Sequence, residues 1–141
     1  MQSVNKYPEN YIHECKEKVE VQIQLYKNLL AKLKKQEDVR LDKAVIAFET
    51  HFCNNMVIVL DGLFMDRSRT VELKDGNPSN EVRMLCASIK TNNNNYILDD
   101  NISYTPDKSI LKLKFGDEIK LSIHDFLLLS SAYFTDIASK F

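Results

Sequence analysis

The fold is decided by residues 41–83, which read LDKAVIAFETHFCNNMVIVLDGLFMDRSRTVELKDGNPSNEVR. At 100° per residue, the first part of this stretch predicts one long, nearly all-apolar helix. Its main apolar stripe consists of Leu41, Val45, Phe48, Phe52, Met56, Val59 and Leu63, and a second stripe consists of Ile46, Cys53, Val57, Leu60 and Phe64. A helix with so wide an apolar arc is typical of the centre of a helical fold.

The polar residues of this helix are exceptions on an apolar background. His51, Asn54 and Asp61 project to a similar side, and Asn55 lies nearer the main stripe. Because buried polar groups need hydrogen-bonding partners, one interpretation is that these side chains are partly exposed or pair with neighbouring helices. The other interpretation is that they line a polar pocket between helices.

A turn follows at residues 74–78, and a further helix begins at Pro78. Gly76 suits a left-handed position at the end of the long helix, and Asn77 before Pro78 is typical of an N-cap. The junction also carries four cations and three acids: Arg67, Arg69, Lys74 and Arg83, with Glu72, Asp75 and Glu81. Since a helix N-terminus with cations nearby attracts anions, one interpretation is an anion site. The alternative is a capped corner in which the acids neutralise the cations.

Three further helices are predicted, which makes the chain mainly α. After Pro8, an amphipathic stripe predicts a surface helix: Ile12, Cys15, Val19, Ile23, Tyr26, Leu30 and Leu33. The chain then turns back near residues 36–38, a third helix runs from Pro78 to Thr91, and a last helix begins after Ser122, with Asp125 three residues on. We expect one domain, residues 1–141, built as a four-helix bundle.

Between the third and fourth helices the apolar pattern changes to alternation. Leu113 and Phe115 alternate with lysines, and Ile119 and Leu121 flank another lysine. A three-residue loop beginning at Gly116 pairs Phe115 with Ile119 and Leu113 with Leu121, which keeps all four apolar side chains on the same face. The pattern therefore predicts a small antiparallel β-hairpin or meander over one end of the bundle.

Several short motifs carry a resemblance to other proteins. They are residues 51–61 (HFCNNMVIVLD), 74–78 (KDGNP) and 80–83 (NEVR), together with the Gly116-Asp117 turn that leads to Asp125-Phe126. From about Leu41 to its end, the chain resembles a family of small uncharacterised bacterial proteins. The resemblance implies a bacterial origin and a single compact unit, and it carries over no activity, ligand or functional residue.

Composition and charge narrow the classes of function. The chain has 141 residues and a formal net charge of −1, with no block of basic residues, so nucleic-acid binding is the weakest interpretation. The densest apolar run, Met56–Met65, is half the length of a membrane span and carries Asp61, so no membrane insertion is expected. Residues 1–11 contain no signal-peptide core and the three cysteines form no CxxC pair, which predicts a cytoplasmic protein with reduced thiols.

No catalytic or metal-binding motif stands out. His13, His51 and His124 lie on three different predicted helices, and His51 and Cys53 point apart because two residues turn a helix by about 200°. Phosphate-loop, nucleophile-elbow and Cys–His signatures are not present. We therefore predict no metal and no cofactor, and the sequence leaves open whether the chain is an enzyme.

Two hypotheses for function follow. The first is a non-enzymatic interaction module that forms a homodimer or binds a protein partner, because the helices carry more apolar surface than one small bundle buries. The second is a small-ligand binding protein or enzyme that holds an anion in a polar pocket between helices. Its candidate ligand-binding residues are His51, Asn54, Asp61, Arg67, Arg69, Lys74, Asn77 and Arg83.

Overall fold

The computed structural model describes residues Gln2–Phe141, and this part of the chain is mainly helical. Its α-helices are α1, Glu9–Leu33; α2, Val39–Leu63; α3, Arg69–Glu72; α4, Pro78–Thr91; and α5, Ile123–Lys140. The long helices pack together, with α2 against α4 and α5, and α1 against α5. The predicted fold class is confirmed at the level of a mainly helical protein. Among the described residues, no helix is both long and apolar enough to cross a bilayer.

The turn between α1 and α2 lies where the sequence predicts it. The buried residues of α1 are Ile12, Cys15, Val19, Ile23 and Tyr26. The helix ends at Leu33, and Asp38 is the N-cap of α2. Its carboxylate accepts hydrogen bonds from the backbone N–H groups of Arg40 (2.9 Å) and Leu41 (3.3 Å). This cap satisfies donors that the first turn of α2 leaves open, and the predicted break near residues 36–38 is confirmed.

The buried face of α2 differs from the predicted one. Its buried residues are Cys53, Asn54, Met56, Val57 and Leu60, which centre on the second predicted stripe rather than on the main one. Phe48 and Val59 of the main stripe are exposed. Phe48 lies in the N-terminal half of α2, which has no buried residue, and Val59 lies off the face formed by Cys53, Val57 and Leu60. The position of neighbouring elements, and not total apolarity, therefore sets the buried face.

The chain leaves the long helix earlier than predicted. α2 ends at Leu63, and residues 64–68 form a turn and a short β-bridge with the N-terminal segment. The N–H of Val4 donates to the C=O of Asp66 (2.7 Å), and the N–H of Ser68 donates to the C=O of Val4 (2.7 Å). The short helix α3 follows this bridge. Pairing with the distant N-terminal segment therefore ends α2 at Leu63, although the local sequence contains no signal that ends a helix there.

The predicted cap at Asn77 is confirmed. Its Oδ1 accepts a hydrogen bond from the N–H of Asn80 (2.9 Å), and Pro78 opens α4. Gly76 is left-handed as predicted (φ 86°), and a side chain at this position would collide with the carbonyl oxygen of Ser103. However, Gly76 terminates the connection between α3 and α4 rather than the long helix.

The predicted β-hairpin is not supported, because no β-strand forms within the described residues. Residues 92–122 join α4 to α5 as an irregular segment with one 3-10 turn at Pro106–Lys108. The N–H of Ile119 donates to the C=O of Asn94 (2.7 Å), not to Phe115. Lys112 has a positive φ of 58°, which interrupts the alternation on which the predicted register depends. The hairpin prediction is therefore wrong.

Helix side chains take the place of a partner strand. Nδ2 of Asn54 donates to the C=O of Ile119 (2.7 Å), and Oδ1 of Asn54 accepts from the N–H of Leu121 (3.2 Å). The carboxylate of Glu81 accepts from the backbone N–H groups of residues 110 and 111, at 2.8 and 2.9 Å. Since buried backbone groups need partners, these two side chains tether a segment that has no strand ladder of its own.

The beginning of α5 marks the level at which the packed core ends. Ser122 and Asp125 form the predicted capping box, with reciprocal hydrogen bonds of 3.1 Å. The carboxylate of Glu49 accepts from the N–H of Ile123 (3.0 Å) and from the hydroxyl of Tyr26 (2.8 Å), which ties α5, α2 and α1 together at this level. Beyond it, residues 27–48 of α1 and α2 contain no buried side chain. We call residues 27–48 the arm.

Candidate functional site

A set of four charged side chains and one amide, partly or wholly buried, lies where α2, α3 and α4 meet. This ion-pair cluster consists of Asp61, Arg67, Glu72, Asn80 and Arg83. Arg67, Glu72 and Asn80 are at most 2% exposed. Charged side chains are almost never buried to this extent unless they are paired and hydrogen-bonded, so the partners of each group decide what the cluster can do.

Glu72 is the centre of the ion-pair cluster. Its carboxylate accepts hydrogen bonds from Nε of Arg67, from Nη2 (2.7 Å) and Nε (3.1 Å) of Arg83, and from Nδ2 of Asn80 (2.7 Å). Burial by itself raises the pKa of Glu72, but the hydrogen bond from Arg83 and the positive charges of both arginines outweigh burial and hold the pKa below its usual range. The carboxylate is therefore ionised at neutral pH.

Arg67 is bonded to protein groups on several sides. Besides Glu72, its guanidinium donates to the carboxylate of Asp61 (2.9 Å), to the C=O of Phe64 (3.0 Å) and to the C=O of Ser79 (3.2 Å). These bonds fix the end of α2 to α3 and α4. The main role that they support for Arg67 is structural.

The other predicted ligand-binding residues do not join the ion-pair cluster. His51 and Lys74 are exposed. Asn54 holds the segment between α4 and α5, and Asn77 caps α4. Arg69 is 48% exposed and forms a surface ion pair. The structure thus brings three of the eight predicted residues into the cluster and leaves five apart from it, and ligand binding by any of them stays a prediction.

Sequence reasoning misses the residues that link the cluster to α5. The hydroxyl of Ser79 donates to the carboxylate of Asp136 (2.6 Å), and Nζ of Lys140 donates to the C=O of Glu72 (3.0 Å). Asp136 and Lys140 also form an ion pair with a distance of 2.9 Å. Their i,i+4 spacing predicts a helix-surface pair. The spacing does not indicate which other element the pair contacts, so the link to the ion-pair cluster is seen only in the structure.

The other end of α2 is apolar and exposed. Within the arm, large apolar side chains are open to solvent: Leu29 (52%), Val39 (70%), Ile46 (67%) and Phe48 (56%). Val21 and Leu25, also more than half exposed, continue this surface along α1. Exposed apolar residues are ordinary when they are scattered singly, but this number of them on a helical hairpin without a buried side chain is typical of a surface that another molecule covers.

The charges of the arm are divided between its two helices. Residues 27–36 carry four lysines and no acid, whereas residues 37–48 carry three acids and two bases. Within the described part of the chain, none of these charged side chains forms an ion pair. The α1 half of the arm is therefore strongly basic, Glu37 and Asp38 make the turn before α2 acidic, and these charged groups remain available to a partner.

The thiols and the metal-binding residue types do not form a reactive centre. Between Gln2 and Phe141, no group of three His, Cys, Asp or Glu side chains comes together to hold a metal ion. Cys15, Cys53 and Cys86 are free and buried. Burial raises the pKa of Cys53 to about 12 and that of Cys86 to about 11, so these two thiols are protonated at neutral pH and are poor nucleophiles.

A wide groove of about 1210 Å³ lies between the beginning of α1 and the end of α5. Ile12 and Phe134 are among its apolar lining residues, and Lys6, His13 and Lys16 are among its polar ones. None of the predicted ligand-binding residues lines it, so the groove gives no support to the polar pocket that the sequence suggested.

Comparison of the chain with family models, with curated proteins and with solved structures found no match. The function proposed below therefore rests on the contacts, charges and exposed surfaces of this chain.

Proposed function

We propose that the protein is an interaction module that self-associates through the arm, with residues 1–141 acting as one four-helix-bundle domain. The observation that carries the proposal is the run of residues 27–48, in which large apolar side chains are exposed and none is buried. Helices gain most of their stability from packing an apolar face. Because burial of apolar surface is favourable, binding of a second molecule over the arm should be favourable.

The exposed apolar side chains of α1 and α2 are numerous enough to supply much of a dimer interface. Six side chains contribute to it: Val21, Leu25, Leu29, Val39, Ile46 and Phe48. At on the order of 100 Å² each, they supply roughly 600 Å² of apolar surface per copy. Stable interfaces bury about 800 Å² on each partner, and the exposed Ala44 and Ala47 with the aliphatic stems of nearby lysines supply the difference.

The charges of the arm favour a second copy of this chain as the partner. In a two-fold dimer the same surface meets itself. When the turns of both arms lie at the same end, α1 of one copy runs antiparallel to α2 of the other copy. This arrangement places the basic α1 half of one arm beside the acidic turn that precedes α2 in the other arm. Lys34 and Lys35 then lie near Glu37 and Asp42 of the second molecule. Because no ion pair within the described chain occupies these groups, the pairing satisfies charges that the monomer leaves open.

Sedimentation velocity at micromolar concentration tests this proposal. The wild type should sediment as a dimer, and the double variant Leu29→Lys/Ile46→Lys should sediment as a monomer, because the interface cannot bury two unpaired charges. Met65→Lys is the matched control: Met65 is 66% exposed and Ile46 is 67% exposed, but Met65 lies beyond the other end of α2. This control should remain a dimer.

Two results would contradict the proposal. One is a wild type that stays monomeric at ~100 µM, where a self-affinity in the micromolar range gives mostly dimer. The other is a dimer that the double variant leaves intact, which would place the interface outside the arm.

A further inference from the structure

A small cleft of about 190 Å³ opens beside the ion-pair cluster, at the end of α2 opposite to the arm. Arg67, Arg69 and Arg83 line it, and Gln2 and Ser3 of the N-terminal segment close its other side. The lining residues come from three separate parts of the sequence: residues 2–3, 65–69 and 83. The side chains of Arg69 and Arg83 are 48% and 20% exposed here, whereas that of Arg67 is buried behind them, and this arrangement is independent of the proposed self-association.

The three guanidinium groups differ in how fully they are bonded. Arg67 donates to four protein groups. Arg83 uses Nε and Nη2 for Glu72, and Arg69 uses Nη2 for Asp99 in a surface ion pair. Since a guanidinium carries five N–H donors, Arg69 and Arg83 keep donors that no acceptor within Gln2–Phe141 uses. The cleft therefore has hydrogen-bonding capacity in addition to positive charge.

The wall of the cleft carries more positive than negative charge. Among the described residues, Asp66 supplies the one carboxylate in this wall, and its Oδ1 accepts a hydrogen bond from the hydroxyl of Tyr7 (2.7 Å). The carboxylates that pair with the arginines belong to Asp61, Glu72 and Asp99, and none of these three residues lines the cleft. An oxyanion in the cleft would meet guanidinium groups first.

We infer that this cleft binds a phosphate group, either free or at the end of a small molecule. Arginine is suited to this task, because its planar fork of donors matches two oxygens of a phosphate. At ~30 Å³ per water, the volume holds one phosphate and a few waters but not a large ligand. The site differs from the anion site suggested by the sequence, because Asn77 and Lys74 do not line it. At the beginning of α4, the side chain of Asn77 accepts a hydrogen bond from the N–H of Asn80, and the side chain of Asn80 accepts one from the N–H of Gly76.

Titration of the ¹⁵N-labelled protein with inorganic phosphate, at constant ionic strength with chloride, tests the inference. We expect saturable shifts of backbone amide signals confined to residues 2–4 and 66–69. A parallel titration with glycerol phosphate distinguishes free phosphate from a phosphate ester. Arg69→Gln should weaken binding at least about tenfold, since it removes one charge-assisted contact from the cleft.

Lys120→Gln is the matched control for this experiment. Lys120, like Arg69, is a solvent-exposed cation with one surface ion pair, but it does not line the cleft. It should retain wild-type affinity. Arg69 is preferred to Arg83 as the test position, because removal of Arg83 leaves Glu72 with fewer partners and disturbs the fold. Saturation by either form of phosphate supports the inference. The absence of saturable shifts in both titrations, or equal affinity of Arg69→Gln and the wild type, overturns it.

Discussion

The two ends of α2 depart from the usual distribution of residues in opposite ways. Beyond its C-terminal end, the charged side chains of Arg67 and Glu72 are inside. In its N-terminal half, the apolar side chains of Val39 and Ile46 are outside. Both arrangements invert the usual distribution of residues. The comparison teaches that buried charge and exposed apolar surface carry different information: the buried charges hold one another and the fold, whereas Val39 and Ile46 are left largely in solvent.

The largest predicted effect is at Glu72. Glu72→Ala should lower the free energy of unfolding by about 3–5 kcal/mol, because it leaves the cation of Arg67 buried without its main partner. Urea denaturation measures this change. Glu118→Ala is the control, since Glu118 is exposed and paired only with Lys120, and it should change stability by less than about 1 kcal/mol. Equal and small effects at both positions would show that the ion-pair cluster does not contribute to the free energy of unfolding.

The same carboxylate predicts a pH dependence. The folded-state pKa of Glu72 lies below its usual value, so its contribution to stability is present above the unfolded pKa of about 4.3 and is lost as pH falls through the folded value. Stability of the wild type should therefore decline below about pH 4. Glu72→Gln should be less stable at pH 7 but should show a shallower decline. Unfolding midpoints measured from pH 7 to pH 3 compare the two, and parallel curves would assign the acid sensitivity to other groups.

An intermediate effect is expected at Asn54, which lies in the buried part of α2. Asn54→Ala should cost about 1–3 kcal/mol, because it leaves the carbonyl of Ile119 and the N–H of Leu121 without partners. The neighbouring Asn55 is exposed, and Asn55→Ala should cost less than about 0.5 kcal/mol. Chemical denaturation of the pair measures the difference. A cost at Asn55 as large as that at Asn54 would show that Asn54 is not a specific tether.

Local signals in the sequence predict the helix boundaries well. Asn77 and Ser122 each cap the helix that the sequence assigns to them, because a cap depends on hydrogen bonds between residues two or three positions apart. Asp38, which caps α2, lies in the break that the sequence predicts between α1 and α2. The amphipathic stripe of α1 is likewise predicted correctly in its first part, since every residue from Ile12 to Tyr26 on that stripe is buried. Short-range chemistry is sufficient for these features.

Features that depend on distant contacts are not predictable in this way. The early end of α2 depends on Val4, and the absence of a hairpin depends on Asn54, which holds the chain at Ile119 and Leu121. In the sequence, Glu72 is one of several acids near four cations. Its position at the centre of the ion-pair cluster is seen only in the structure, where Arg83 donates hydrogen bonds to it. Period and composition contain no information about such pairings, which is why the candidate site is predicted only in part.

The smallest predicted effect on stability is in the arm. Val39→Ser should change the free energy of unfolding by less than about 0.5 kcal/mol when measured in dilute, monomeric protein, because Val39 contacts solvent rather than core. Val57→Ser, at a fully buried position on the same helix, is the contrast and should cost several times as much. Thermal unfolding at low protein concentration separates them. A large cost at Val39 would mean that the arm has a core of its own.

The central claim, that the arm pairs with the arm of a second copy, is tested most directly by mixing charge variants. Lys34→Glu/Lys35→Glu and Glu37→Lys/Asp42→Lys each place like charges across the proposed interface, so each variant alone should dissociate at concentrations where the wild type is a dimer. Mixed in equal amounts, the two variants should form a heterodimer, because opposite charges then face one another. The mass of the mixture by sedimentation equilibrium is the measurement. A dimer in the mixture and monomers of each variant alone are the predicted result; a mixture as monomeric as its components, beside a dimeric wild type, would contradict the account.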